Sequence, residues 1–211
     1  MLKRGARSIF EARTRARAFA VSYLRNTGTL FFGIRAPPAS RGCLSSRYGC
    51  RRYCANCSGS NATAVWAAQL GMNLQASTLK NDETGAPFHV QQAAQIRAFR
   101  DAWKEAGHAR EPRISVSRSI FALVDDRDRA FWGRGGEDED SFGFIDPTRR
   151  SIFGRSYAAE PDVLIEQLKR DEAIAAADTL LLTVPNQLGV AYNAHVIEAI
   201  LTHVAPALGW R

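Results

Sequence analysis

Cysteine is missing from most of the chain, because its four cysteines are Cys43, Cys50, Cys54 and Cys57. The stretch from Ser58 to Arg211 therefore forms no disulfide and no thiolate metal site, which suits the reducing conditions of the cytoplasm. The sequence also lacks any uninterrupted apolar run of about 18 residues, the length that predicts a membrane-spanning helix. We therefore expect a soluble, cytoplasmic protein that does not enter a membrane.

Acidic residues are almost missing from the first 57 residues. This segment holds twelve lysines and arginines against the single acid Glu11, so its net charge is +11. The residues after it hold sixteen basic and twenty acidic side chains, or −4, and the whole chain carries +7. A change this abrupt separates two kinds of sequence. We therefore divide the chain into a basic segment, residues 1–57, and a patterned part, residues 58–211.

The opening of the basic segment, from Met1 through Leu24, has loosely spaced apolar residues among its arginines that could form a basic amphipathic helix. The residues after it are rich in glycine and proline between Gly28 and Gly42 and show no sustained period of 2 or 3.6 residues. We interpret it as a disordered segment or as an out-of-frame start joined to a genuine reading frame. Three alternatives stay open: an arginine-rich transit peptide, a zinc site made by the four cysteines, and an arm that binds nucleic acid. The wide gap between Cys43 and Cys50 disfavours zinc, and charge alone is weak support for nucleic acid.

The patterned part alternates predicted strands with predicted helices. Alternating or continuously apolar residues predict strands at 72–79, 113–124 and 179–184. Amphipathic spacing, together with glycine and proline end signals, predicts helices at 64–71, 88–106, 161–177 and 192–204. This order indicates an α/β fold, for which a TIM barrel is one candidate.

A long polar stretch interrupts this alternation between Asp125 and Arg155. It contains several glycines and the acidic run 137–140. A loop of this length is usually a mobile lid over an active site or a disordered segment, and both interpretations stay open.

The patterned part shows no spacing of side chains that is typical of metal ligands. His195 and His203 both fall on the last predicted helix, and we interpret them as packing or surface residues. The sequence therefore predicts no metal site.

The first predicted helix begins after Gly59, Ser60, Asn61 and Thr63, a run of small and polar residues. The free backbone N–H groups at such a helix end, the helix dipole and two hydroxyls together favour a bound phosphate. The alternative is plain N-capping of the helix by Ser60 or Asn61. The residues alone leave both open.

Several blocks of the patterned part together resemble one known family. They are GSNATAVWAA at 59–68, GMNLQ at 71–75, SVSRS at 115–119 and ADTLLLTVPNQLG at 177–189. In these blocks the chain is similar to the C-terminal half of the luciferase-like flavin-dependent monooxygenases. The resemblance covers essentially all of residues 58–211 and none of residues 1–57.

The resemblance implies a partial TIM (β/α)8 barrel that lacks about the first four strands. It also implies a flavin-dependent oxidoreductase, in which reduced FMN, or a deazaflavin in some branches, reacts with O2 and a small organic substrate. A flavin reductase and a second copy of the chain are the partners that it suggests. With so much of the barrel missing, we expect little or no activity.

The resemblance also assigns roles to individual residues. Ser60 and Thr63 match positions that contact the flavin phosphate, and Gly59 and Asn61 line the same turn. Arg118 matches a strand arginine that points into the catalytic site of some members, although a salt bridge within the barrel is an equal alternative. The rival interpretation of the whole chain is a non-enzymatic binding protein that docks its basic segment on nucleic acid or on a partner subunit.

Overall fold

The computed structural model describes residues 60–133 and 139–210, together with three short strands in the basic segment. These strands are β1 (Ala20–Tyr23), β2 (Leu30–Arg35) and β3 (Cys54–Asn56). The predicted disorder, transit peptide, cysteine site and nucleic-acid arm concern residues that mostly lie outside the described ones. The division of the chain at residue 57 stays a prediction.

The elements after β3 alternate much as the sequence predicts. The strands are β4 (Asn73–Ala76), β5 (Leu79–Asn81), β6 (Ile114–Arg118), β7 (Ile120–Ala122), β8 (Ser141–Asp146), β9 (Arg149–Phe153), β10 (Tyr157–Ala159) and β11 (Thr179–Val184). The helices are α1 (Asn61–Gln69), α2 (Phe88–Glu105), α3 (Asp126–Trp132), α4 (Pro161–Lys169), α5 (Glu172–Ala176) and α6 (Gly189–Ala199). A π-helical turn, Ile200–Val204, continues α6.

The largest sheet has the strand order β1-β2-β11-β6-β4-β3. Strands β3, β4, β6 and β11 run parallel to one another, whereas β2 pairs antiparallel with β1 and β11. Two smaller sheets join β7 to β10 in parallel and β5, β9 and β8 in antiparallel fashion. The α/β fold class is therefore confirmed. Across the described residues these sheets are open and do not close into a barrel, so the partial TIM barrel stays a prediction.

Helix α2 supplies much of the hydrophobic core, and it packs against α1 and α5. Its apolar stripe buries Phe88, Ile96, Phe99 and Trp103, and the last three belong to the same buried cluster as Leu74 of β4. This is the pattern expected of a helix that lies on a sheet. No helix in the described part of the chain combines the length and apolarity needed to cross a membrane.

The prediction of a loop between Asp125 and Arg155 is wrong for most of this stretch, because it contains α3 and the β8–β9 hairpin. Asp125 begins α3 with a capping box, in which its side chain accepts from the Asp128 N–H and the Asp128 side chain accepts in return. The hairpin is held by β5, which pairs with β9. Residues 134–138 lie outside the described residues.

The helix predicted over 161–177 is two helices, α4 and α5, which are separated at Arg170 and Asp171. Asp171 is the cause, because its carboxylate accepts from the N–H groups of Ala173 and Ile174 and so begins a new helix. The Asp171 side chain is fully buried. In the sequence, the signal for this break is Asp171, a residue type that favours helix N-caps, inside a helical pattern.

Candidate functional site

The N-terminus of α1 lies at the carboxyl-terminal edge of the parallel strands, because α1 follows β3 and returns the chain to the start of β4. Ser60 caps the helix, and its Oγ accepts from the Thr63 N–H at 3.4 Å. The two hydroxyl oxygens, Ser60 Oγ and Thr63 Oγ1, lie 3.2 Å apart. Two of the predicted phosphate contacts are thus adjacent, and the capping alternative is also realised. Gly59 lies outside the described residues.

A carboxylate of the chain itself occupies this helix end. The Asn61 N–H donates to Glu83 Oε1 at 3.3 Å, and Glu83 Oε2 accepts from the Lys80 Nζ at 3.0 Å. Lys80 is almost completely buried, and its ammonium also donates to the Asn81 carbonyl. The Glu83 carboxylate therefore contacts both the N-terminus of α1 and a buried ammonium. The helix dipole favours an anion at this position. No local pattern in the sequence singles out Lys80 or Glu83.

Buried glutamines of α2 fix the position of this site. Gln95 Nε2 donates to the Ser60 carbonyl at 2.9 Å, which ties the cap of α1 to α2. Gln91 accepts from the Glu83 N–H and donates to Asp82 Oδ1, so it holds the loop that carries the carboxylate. The signal in the sequence is a set of glutamines on the apolar face of a helix, where buried polar groups need partners.

Arg118 is buried in an ion pair. Its Nε and Nη2 donate to the two oxygens of Asp171 at 2.7 and 3.0 Å, and its Nη1 donates to the Ser117 carbonyl at 2.8 Å. The guanidinium also lies 5.2 Å from the centre of the Phe88 ring. The salt-bridge alternative is therefore what the structure shows, and a catalytic role for Arg118 stays a prediction. Strand β4 separates Arg118 on β6 from β3, the strand that leads to Ser60.

Asp171 is the centre of this buried network. Besides Arg118, it accepts from the Tyr157 hydroxyl at 2.8 Å. Burial alone would raise the pKa of Asp171, but the charge and hydrogen bonds of Arg118, together with the hydrogen bonds from the Ile174 N–H and the Tyr157 hydroxyl, hold that pKa below its usual range. Burial and then the neighbouring carboxylate raise the pKa of Tyr157 to about 12. The network therefore needs an ionised Asp171 and a neutral Tyr157.

Tyr157 makes the fold sensitive to alkali. Its pKa is about 12 in the folded chain and about 10 in an unfolded chain, so its stabilising contribution is full below about pH 10 and is lost as pH rises toward 12. Between about pH 10 and pH 12, the free energy of unfolding should fall by at least about 1 kcal/mol more in the wild type than in Tyr157→Phe. Urea unfolding at several pH values measures the difference. Parallel curves for the two proteins would contradict the assignment.

Comparison of the chain with models of known protein families, with curated proteins and with solved structures gave no match. The likeness to luciferase-like enzymes thus rests on the sequence blocks alone.

Proposed function

We propose that the chain is a flavin-dependent oxidoreductase of the luciferase-like kind, and that it holds the phosphate of FMN at the N-terminus of α1. The observation that carries this proposal is the anion already seated there, the Glu83 carboxylate between the Asn61 N–H and Lys80. Such a helix end, at the carboxyl edge of parallel strands, is where open α/β sheets bind phosphorylated ligands. A deazaflavin with the same phosphate is the alternative cofactor.

The residues at this helix end fit a phosphate group. The Asn61 N–H and the hydroxyls of Ser60 and Thr63 are the donors, and Lys80 supplies the positive charge. Glu83 has a side chain that is 31% exposed, so it has room to leave when a dianionic phosphate competes for the same donors. When bound, the flavin supplies the redox chemistry with O2, while these residues bind and orient it.

The rest of the proposal follows from the family. The substrate is a small organic molecule, a flavin reductase supplies reduced cofactor, and the protein works in the cytoplasm as a homodimer with a partial TIM barrel. The family likewise implies a catalytic role for Arg118 toward an anionic flavin or substrate, although its guanidinium is buried against Asp171.

The proposal is tested by titrating the purified chain with FMN and with riboflavin, which lacks the phosphate. We expect FMN to bind at least about tenfold more tightly, because hydrogen bonds to a charged group contribute about 1.5–3 kcal/mol. Thr63→Val should weaken FMN binding about tenfold and leave riboflavin binding unchanged. Thr202→Val, which alters an exposed threonine of the π-helical turn, is the matched control and should change neither.

Glu83→Gln gives the opposite expectation at the same site. Removing the competing charge should strengthen FMN binding by about three- to tenfold, because the helix end and Lys80 then lack their anion. Equal affinities for FMN and riboflavin in the wild type would place the phosphate elsewhere. A folded chain that binds neither ligand would contradict the flavin function as a whole.

A further inference from the structure

Two aspartates and a histidine converge where α3 and α6 meet. His195 Nε2 lies 3.0 Å from both carboxylate oxygens of Asp128 and 3.6 Å from Asp125 Oδ2. One ligand-type atom of each side chain lies within 4.8 Å of the other two. Neighbouring ligands around a zinc-sized ion are about 3–3.5 Å apart, given bonds of about 2.0–2.2 Å. The three side chains therefore already stand at nearly the spacing that a bound ion requires.

Hydrogen bonds from two backbone N–H groups and one hydroxyl fix the orientation of the Asp128 carboxylate. Its Oδ2 accepts from the N–H groups of Val124 and Asp125, and its Oδ1 accepts from the Tyr192 hydroxyl at 2.7 Å. The Trp132 indole N–H in turn donates to the Tyr192 oxygen. Outer partners of this kind fix the direction of a metal-binding carboxylate. Asp125 contributes through its other oxygen, because Oδ1 already accepts from the Asp128 N–H.

In the described part of the chain, no lysine or arginine balances the negative charge of the two carboxylates. Asp128 is 2% exposed, and within the described residues neither Asp125 nor Asp128 forms an ion pair with a lysine or an arginine. The nearby Arg127 instead lies over the Tyr192 ring, 4.5 Å from its centre. A buried carboxylate beside a second carboxylate needs a positive charge. His195 supplies that charge only when it is protonated.

We propose that Asp125, Asp128 and His195 bind a divalent transition-metal cation. Two carboxylates and one imidazole match the preferences of Mn²⁺ and Zn²⁺, whereas Mg²⁺ and Ca²⁺ favour oxygen ligands alone. His195 also lines a cavity of about 220 Å³ together with Glu198, and neither aspartate lines it, so the cavity gives access from the histidine side. The site is separate from the phosphate site at Ser60, so either stands without the other.

The sequence alone predicts no metal site, and it indicates a packing or surface role for His195. Asp128 and His195 are 67 residues apart in the chain, and only the fold brings them together. The signal near Asp125 was hidden, because its spacing to Asp128 is also that of a capping box.

The test is a titration of the full chain with Mn²⁺, followed by the electron paramagnetic resonance signal of the free ion. Mn²⁺ is chosen over Zn²⁺ because cysteine thiolates prefer Zn²⁺, so the cysteines of the basic segment would compete less for Mn²⁺. We expect saturable binding and selective broadening of the amide signals of residues 124–128 and 195. Asp125→Asn should weaken binding at least tenfold, and since asparagine is an equally good N-cap, the variant keeps α3.

The matched control is Asp126→Asn, which removes a neighbouring, fully exposed carboxylate. It should change the affinity by less than twofold. The proposal is overturned if the wild type shows no saturable binding, or if Asp125→Asn binds as well as the wild type. Broadening centred on the acidic run 137–140 would also overturn it.

Discussion

Replacing Arg118 with methionine should lower the free energy of unfolding by about 3–5 kcal/mol. The variant leaves the Asp171 carboxylate fully buried without the guanidinium that pairs with both of its oxygens. Methionine retains most of the apolar stem, so packing loss is a small part of the effect. Urea unfolding followed by circular dichroism measures the change.

The double variant Arg118→Met with Asp171→Asn separates charge from packing. Asparagine still accepts from the Ala173 and Ile174 N–H groups, so it preserves the start of α5. We expect the double variant to recover most of the loss, because it contains no buried charge. A loss below about 1 kcal/mol in the single variant would contradict the buried ion pair.

Phe99→Ala should also destabilise the chain by about 3–5 kcal/mol, the usual cost of removing a buried phenylalanine ring. Phe99 lies at the middle of α2 with no exposed surface, and its ring contacts Trp103 at a centroid distance of 5.8 Å. The change therefore creates a cavity between α2 and the parallel strands. Thermal and urea unfolding both report it.

Phe144→Ala is the matched control for this prediction. Phe144 lies on β8 and is 70% exposed, so the same truncation should cost about 0.5 kcal/mol or less. Equal effects at the two positions would mean that residues 60–210 do not share the core described above.

Local patterns predicted the elements that bury one face. α2 follows from its apolar spacing and β11 from its run of apolar residues, and the structure places both within about two residues of their predicted bounds. The hairpin β8–β9 was missed, because glycines and acids surround it and it depends on pairing with β5. β5 and β9 are far apart in the sequence, and no local period reveals that they pair.

The site was predicted only in part for the same reason. The Ser60 cap, one of the two alternatives left open for this turn, is a local feature and the structure shows it, while the phosphate contacts stay a prediction. Glu83 reaches the helix end from 22 residues away, and Asp171 reaches Arg118 from 53 residues away. Polar pairs of this kind depend on the tertiary fold, and a single sequence carries no signal for them.

The most direct test of the proposed function is amide chemical-shift mapping during an FMN titration. We predict saturable shifts of the Asn61, Ala62 and Thr63 amides, because the proposed phosphate would bind against this first turn of α1 and replace Glu83 at the Asn61 N–H. Smaller shifts are expected around Lys80 and Glu83. Riboflavin should leave these amides nearly unchanged. FMN binding that shifts other amides and leaves residues 61–63 unaffected would contradict the account.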